Sequence, residues 1–338
     1  MSTDRRMLTL ERVGLESCDW ERMDAFPDRV IFQTREWVEF VARTQRAEPV
    51  IASVVRDREV VGYFTGLIVR RFGVRILGSP FPGWTTDSMG FNLPDGVSRR
   101  DAAAALVRFA WGALRCAHLE LKDRRLESAD IEGLGFESDA KLTYEVDLAD
   151  DEQAIFGRMS SPCRRAIRKA EKVGVTVEPA AGPGFADEYY AQLLDVFAKQ
   201  SLVPTYGVER VRALIACLEP TGRLLLLRAL SPDGRSIATG IFPAFNGTAY
   251  FWGGASMRAD QILRPNEALF WYAMRHWRER GMTTLDLGGA GDYKRKYGTR
   301  ELWLPWCRRS RVPGLSLMRT VARAATKRRQ AWSGRRAS

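Results

Sequence analysis

The residues best equipped for chemistry stand in one run near the C-terminus, "TTLDLGGAGDYKRKYG", Thr283 to Gly298. It begins as a strand, breaks into glycines, presents Asp292, and then sets Tyr293, Lys294 and Tyr297 in an aromatic, basic stretch. Ligand sites of α/β proteins lie beyond the carboxyl ends of sheet strands, so this run reads as one wall of such a site. Lys294 suits a phosphate group or a developing negative charge, where a preorganised cation lowers a barrier by roughly 3 kcal/mol. Asp292 is a candidate proton acceptor, with Asp286, on the strand itself, as its rival; either would also serve as a helix cap or as a partner for Lys294. Tyr293 and Tyr297, four apart, share a face if the segment is α-helical and read as wall or core. Asn266 and Glu267 follow Pro265 at the start of a predicted helix, where an acid also favours the positive end.

Other chemistries lack material. The only histidines are His118 and His276, and His276 falls on an apolar helical stripe, so a His-based metal centre or a Ser-His-Asp relay is not expected. The five cysteines, Cys18, Cys116, Cys163, Cys217 and Cys307, are scattered without a C-x-x-C pair, which argues against a disulfide framework or zinc site and for a reducing cytoplasm. Cys163 stands near a basic helix start that would lower a thiol pKa, but without a nearby histidine it reads as inert. No permanently bound cofactor and no metal are expected. Neither an uninterrupted apolar run long enough to span a bilayer nor a secretory leader is evident.

The elements that must position these residues come twice. "PVIASVVRDREVVGYFTGLIV" and "RLLLLRALSPDGRSIATGIFPAF" each read as a strand, a polar turn and a second strand. A third strand follows each, "RFGVRILGSP" and "GTAYFWGGAS", the latter after an Asn246-Gly247 turn. Then come a helix and a strand: "DAAAALVRFAWGALRCAHLELK" and "PNEALFWYAMRHWRERGMTTLDLGG", the second helix opened by Pro265 and stopped by Gly281. The order β-β-β-α-β occurring twice predicts an α/β protein of two similar domains with mixed sheets, residues 1–148 and 149–310. A linking helix is expected in "MSSPCRRAIRKAEKVGV", with Pro162 in its first turn, Ala166, Ile167, Ala170 and Val173 inward, and Arg164, Arg165, Arg168, Lys169 and Lys172 outward.

The net charge of +11 is not evenly spread: residues 294–338 hold 14 Lys/Arg and one acid, while the rest is close to neutral. Residues 311–338 read as a basic tail. Within it, residues 313–332 fit an amphipathic helix with Leu315, Met318, Ala322 and Ala325 on one stripe and Arg319, Arg323 and Lys327 on another. It suits an anionic membrane surface, RNA phosphates or docking on its own domain.

"RRAIRKAEKVGVTVEP", the helix at Pro265 and "LDLGGAGDYKRKYG" together resemble the Fem peptidyltransferases and their BioF-like (CelD-like) acetyltransferase relatives, in the GNAT superfamily. The Fem pattern, an Asp-Phe-Gly-Gly-like strand end and then Phe-Lys-x-x-Phe-Gly, is matched by Asp286-Leu287-Gly288-Gly289 and by Tyr293-Lys294-Arg295-Lys296-Tyr297-Gly298; Gly291-Asp292-Tyr293-Lys294 is similar to the BioF-like form. The resemblance covers about residues 30–306 and is strongest in the second half. It implies a tandem duplication of GNAT-like domains and an N-acyltransferase that moves an aminoacyl group from aminoacyl-tRNA, or an acyl group from acyl-CoA, to an amine of a cell-envelope or metabolite acceptor. Arg164 matches the family's arginine before Ile-Arg-Lys-Ala, on a helix suited to an anion. In "SLVPTYG", Pro204 and Tyr206 stand where Fem enzymes have an Arg-rich segment, closer to the BioF-like branch.

Amide formation needs a neutral amine, a positioned carbonyl and a stabilised tetrahedral oxyanion, without a covalent nucleophile. For the donor, acetyl-CoA enzymes cradle pyrophosphate in a glycine-rich turn before a helix. The matching loop, "GGASMRADQILRPNEA", has no glycine from Ser256 to Asn266, so tRNA is preferred to CoA. The first-half counterpart, "GSPFPGWTTDSMGFNLPDG", reads as a binding loop or lid. The expected location is cytoplasmic, with the tail allowing peripheral contact at the inner membrane face. Two alternatives stay open: an acyl-CoA-dependent N-acetyltransferase of polysaccharide or secondary metabolism, and a non-catalytic double-GNAT scaffold for an anionic glycolipid or RNA.

Overall fold

The computed structural model describes residues 7–71, 73–182, 184–198, 202–289 and 291–311. The expected amphipathic tail helix lies outside the described residues. The chain groups into two units, one holding residues up to Lys141 together with those from Trp303, the other holding Leu142–Leu302. The expected division at 148/149, with the second domain running to 310, therefore differs at both ends: the change of unit falls within a strand at Lys141, and residues from Trp303 group with the first unit.

The first unit contains β1 (Thr9–Val13), α1 (Trp20–Asp24), α2 (Arg35–Gln45), β2 (Glu48–Arg56), β3 (Glu59–Arg71), β4 (Val74–Ser79), β5 (Gly90–Asn92), α3 (Arg99–Trp111), β6 (His118–Leu121) and α4 (Ser128–Ile131). The hairpin β2–β3 turns on Asp57 and Arg58, both at positive φ, the geometry that suits the twist of two-residue hairpins. β4 pairs parallel with β6, and the connection passes through α3. Ser98 caps α3 by accepting from the Asp101 amide, and Ala102, Leu106 and Phe109 turn inward onto a core with Val50, Phe64, Leu77 and Leu119.

β7 (Glu137–Asp147) passes from one unit to the other. The second unit continues with α5 (Glu152–Arg158), α6 (Ser161–Lys172), β8 (Thr176–Ala180), α7 (Gly184–Ala198), α8 (Val208–Leu218), β9 (Leu224–Leu230), β10 (Ser236–Phe245), β11 (Thr248–Tyr250), β12 (Gly253–Ser256), α9 (Pro265–Glu279) and β13 (Thr284–Asp286). β14 (Arg300–Ser310) closes the chain's described part, its residues from Cys307 pairing antiparallel with β6. The strand order in the second unit is β7-β13-β11-β10-β9-β8. The turn at Asn246-Gly247 and the Pro265 start of α9 are where the residue types place them. Leu269, Ala273 and Trp277 bury one stripe of α9 with Leu227, Phe242 and Leu285, while Tyr272 and His276 flank it at intermediate depth. α6 opens on Ser160, whose hydroxyl accepts from the Cys163 amide, and buries Cys163, Ile167 and Ala170.

Candidate active site

A gap opens in the second sheet where two neighbouring strands part. β11 pairs parallel with β13 as far as Tyr250 and Asp286. Beyond that point β12 stays with β10. The chain past Asp286 instead follows β7, the Leu287 amide donating to the Tyr144 carbonyl at 2.7 Å before Gly288 turns at positive φ. Into the opening come the first turn of α9 and a 3₁₀ segment, Asp292–Tyr297, bounded by Gly291 and Gly298, both at positive φ. A cavity of about 340 Å³ results. Phe242, Phe251, Leu269 and Phe270 form its apolar walls, and Ser256, Asn266, Glu267, Lys296 and Tyr297 supply its polar groups.

Those polar groups are arranged. Lys296 Nζ stands 2.8 Å from Glu267 Oε1, and its ammonium lies 5.1 Å from the Tyr297 ring centre and 5.9 Å from that of Tyr293. Asn266 Nδ2 donates to Ser256 Oγ at 3.1 Å. Tyr297 is 1% exposed, and its hydroxyl has no hydrogen-bond partner among the described residues. Burial first, then Glu267, Cys163 and Tyr293, hold its pKa well above that of an ordinary phenol. It is thus a neutral O–H donor at physiological pH, without a hydrogen-bond partner among the described residues, on a side chain that lines the cavity. A buried hydroxyl without a partner is unfavourable by about 1–3 kcal/mol.

The singled-out residues divide. Tyr293, Tyr297, Asn266 and Glu267 line the cavity, Tyr293 at its exposed rim. Lys294 does not line it. Its side chain is buried, 5% exposed, and its ammonium donates to the carbonyls of Gly288, at 3.2 Å, and Gly289. It pins the glycine turn that ends β13. Burial lowers its pKa to about 8 against the opposing pull of Asp286. Asp286 is buried too, accepting from Thr143 Oγ1 at 2.5 Å and from the Gly288 amide at 2.7 Å. Asp292, expected as a proton acceptor, points away: its side chain is 84% exposed, pairs with Arg295 at 3.1 Å and accepts from the Tyr144 hydroxyl at 3.3 Å. Arg164 faces the end of α5, donating to the carbonyls of Gly157, at 2.8 Å, and Met159. Tyr206 sits apart from the cavity lining, sharing a 2.7 Å hydroxyl contact with Tyr189 and packing on Trp252. Cys163 is an inert thiol, pushed up to about 11 by burial despite Lys296 nearby. His276 is lowered to about 4 by burial and Arg280, and so is neutral at pH 7.

Lys296 is the polar group that sequence reasoning passed over. Tyr293 and Tyr297 invite an α-helical period, but the segment is a 3₁₀ turn, where residues three apart eclipse. That geometry brings the Lys296 ammonium to the ring of Tyr293, three residues back. The signal was present as a Tyr-x-x-Lys spacing between two glycines.

With the geometry established, comparison with known proteins adds the following. Residues 158–296 match the acetyltransferase (GNAT) domain family. A search of curated proteins gave no match. Among solved structures, FemX is similar over 92% of this chain and 99% of its own, at 14% identity and a TM-score of 0.72. L-PGS from Bacillus licheniformis is similar over 89% and 94%, at 12% identity and a TM-score of 0.54. A tandem GNAT protein from the clavulanic acid biosynthesis pathway is similar over 91% and 99%, at 14% identity and a TM-score of 0.50. The Fem-like, GNAT part of the resemblance read from the sequence holds: residues 158–296 match a GNAT domain, and the chain has a Fem-like, double-GNAT fold. Among the described residues, no cluster of potential metal ligands occurs and no helix is long and apolar enough to cross a membrane.

Proposed function

Given a GNAT domain within a double-GNAT fold, we propose that the protein is an N-acyltransferase that joins an activated acyl or aminoacyl group to an amine in the cavity between β12 and α9. The observation that carries this reading is the Tyr297 hydroxyl, buried and unpartnered beside the Lys296–Glu267 ion pair.

The amine lone pair attacks the carbonyl carbon of an ester or thioester. A C–N bond forms, and the carbonyl oxygen takes the negative charge. Tyr297 O–H donates to that oxygen, an interaction stronger in the tetrahedral intermediate than in the ground state. Lys296 adds positive potential, undiluted by bulk water on the cavity side. Glu267 accepts the proton that the amine sheds. Collapse breaks the carbon–oxygen or carbon–sulfur bond, and the leaving group takes the proton that Glu267 collected from the amine, which returns Glu267 to its carboxylate while Tyr297 keeps its own proton. Asn266 fixes Ser256 on the facing wall, and the four apolar side chains, Phe242, Phe251, Leu269 and Phe270, keep water from competing with the amine. Lys294 and Asp286 act as positioning residues, holding the turn from which Lys296 and Tyr297 project.

An aminoacyl ester of RNA is the preferred donor. The segment joining β12 to α9 is a 3₁₀ turn built from side-chain-bearing residues, Arg258–Leu263, so it offers no glycine cradle for the pyrophosphate of CoA. A cell-envelope or metabolite amine is the acceptor class. Incubation of the protein with charged tRNA or acetyl-CoA and a set of amine acceptors, read by mass spectrometry, tests the reading. A new amide from the RNA ester supports it, an amide from acetyl-CoA alone replaces the preferred donor, and no amide from either removes the proposal.

A further inference from the structure

Part of the cavity wall belongs to α7 and β10: Val196 from the helix, Thr239 and Gly240 from the strand. Behind Thr239 runs a chain of polar side chains that the mechanism above does not use. Glu188, Gln192 and Val196 are four apart on α7 and so share one face. Glu188 pairs with Arg228 of β9 at 2.8 Å and accepts from the Ser236 hydroxyl. Gln192, 3% exposed, donates from Nε2 to Ser236 Oγ at 3.1 Å and accepts at Oε1 from Thr239 Oγ1 at 2.7 Å. The chain Glu188–Ser236–Gln192–Thr239 thus leads from a partly exposed carboxylate to the cavity wall.

Its direction is fixed by the end that has no choice. A carboxylate offers lone pairs and no proton, so Ser236 must donate to Glu188. The one proton of Ser236 is then committed, and toward Gln192 it can only accept, which sets the amide nitrogen on that side. The amide oxygen is left for Thr239, which must donate. Turning the amide over would bring lone pairs face to face at Ser236 with no proton between them, an unfavourable arrangement in a buried place. Thr239 therefore meets a cavity ligand only as an acceptor, and among the described residues no donor reaches its hydroxyl.

Tyr297 has the opposite character, a hydroxyl with a proton to give. An amine that attacks a carbonyl needs both kinds of group: a donor for the carbonyl oxygen, and an acceptor that holds an amine N–H and so turns the nitrogen lone pair away from itself. We infer that Thr239 holds the amine in the cavity, its acceptor character imposed by Glu188 through Ser236 and Gln192. Those three act as positioning residues. A primary amine fits, because it keeps one N–H for Thr239 while Glu267 takes another proton. That the held amine is the one acylated rests on the transfer reading; that the cavity holds an N–H donor at Thr239 does not.

The test titrates the full-length protein with two small aromatic probes: benzylamine, which carries N–H donors, and acetophenone, which carries only an acceptor. Wild type is expected to bind benzylamine. Thr239→Val keeps the shape and removes the hydroxyl, so it should bind benzylamine about five- to ten-fold more weakly and acetophenone as the wild type does. Thr239→Ser should recover the benzylamine affinity. Gln192→Leu releases the Thr239 proton, so benzylamine should weaken while acetophenone holds or tightens, a reversal that simple loosening of the wall does not produce. Should Gln192→Leu fail to fold, the Thr239 pair decides alone. Equal benzylamine affinity in wild type and Thr239→Val overturns the inference, as does no binding of benzylamine by wild type. Parallel weakening of both probes in Thr239→Val overturns it too, because Thr239 is then a packing residue. Failure of the transfer reading looks different: no amide forms from either donor with any amine, while benzylamine binding still depends on Thr239. Conversely, a benzylamine amide made equally fast by wild type and Thr239→Val removes the amine site and leaves transfer standing.

Discussion

Lys296 Nζ and Glu267 Oε1 meet at 2.8 Å, joining the 3₁₀ segment after β13 to the first turn of α9 across the gap in the sheet. Glu267 is buried and Lys296 is only partly exposed, so removing one leaves the other's charge in a poor solvent. Glu267→Gln keeps the shape and removes the charge. It should slow transfer by about 10²-fold or more, the usual contribution of a general base, with a stability loss of about 1–2 kcal/mol. Steady-state kinetics and urea unfolding measure the two effects separately.

The buried ammonium of Lys294 makes stability depend on pH. Its folded pKa is about 8, against 10.5 for an ordinary lysine, because burial disfavours the charge. Below about pH 8 both folded and unfolded chains hold the proton, and the folded state bears the full unfavourable effect of burying it. Between about pH 8 and 10.5 the unfolded chain still holds a proton that the folded chain has released, so stability rises with pH across that window. Lys294→Met removes this dependence. Denaturant midpoints of wild type and variant compared at either end of the window should converge or cross; parallel curves would show that the ammonium is solvated.

Arg164 is committed to carbonyls at the end of α5 and not to the cavity. Arg164→Ala removes hydrogen bonds to the last carbonyls of α5, Gly157 and Met159, and should lower stability by about 1 kcal/mol per bond. Urea unfolding measures it, and a midpoint equal to that of the wild type would show that these bonds carry no weight.

Gly298 closes the 3₁₀ segment at φ +74°, and a Cβ there would lie 2.9 Å from the backbone of Arg158. Gly298→Ala therefore adds backbone strain to a clash that no rotamer relieves, and should destabilise by more than about 1 kcal/mol. Thermal unfolding checks it. Activity should fall with stability, because Tyr297 is the residue before the hinge.

The elements were legible where local chemistry decides them: the two hairpins, the helix and strand that follow in each half, the Asn246-Gly247 turn, and the Pro265 start of α9; each half has one strand more than expected, β5 in the first and, in the second, the split of "GTAYFWGGAS" into β11 and β12. Tyr297, Tyr293, Asn266 and Glu267 could be placed near a strand end because the fold class sets sites there. The misassignments share one cause. Which of Asp286, Asp292, Lys294 and Lys296 faces the cavity depends on the turn geometry between Gly288 and Gly298, and a 3₁₀ path and an α-helical path send the same side chains in different directions. The edge near Trp303 was hidden for a related reason: strand pairing with β6 is a long-range choice that a local pattern does not encode.

The most direct test of the central claim is the single-turnover rate of amide formation in wild type and Tyr297→Phe. The hydroxyl has no partner among the described residues, so its removal should leave the melting temperature unchanged or raise it slightly. If it donates to the developing oxyanion, the rate should fall by about 10²–10³-fold, the effect of removing one such donor. A variant that is at least as stable as wild type and far slower is the predicted result; equal rates in the two proteins would contradict the account.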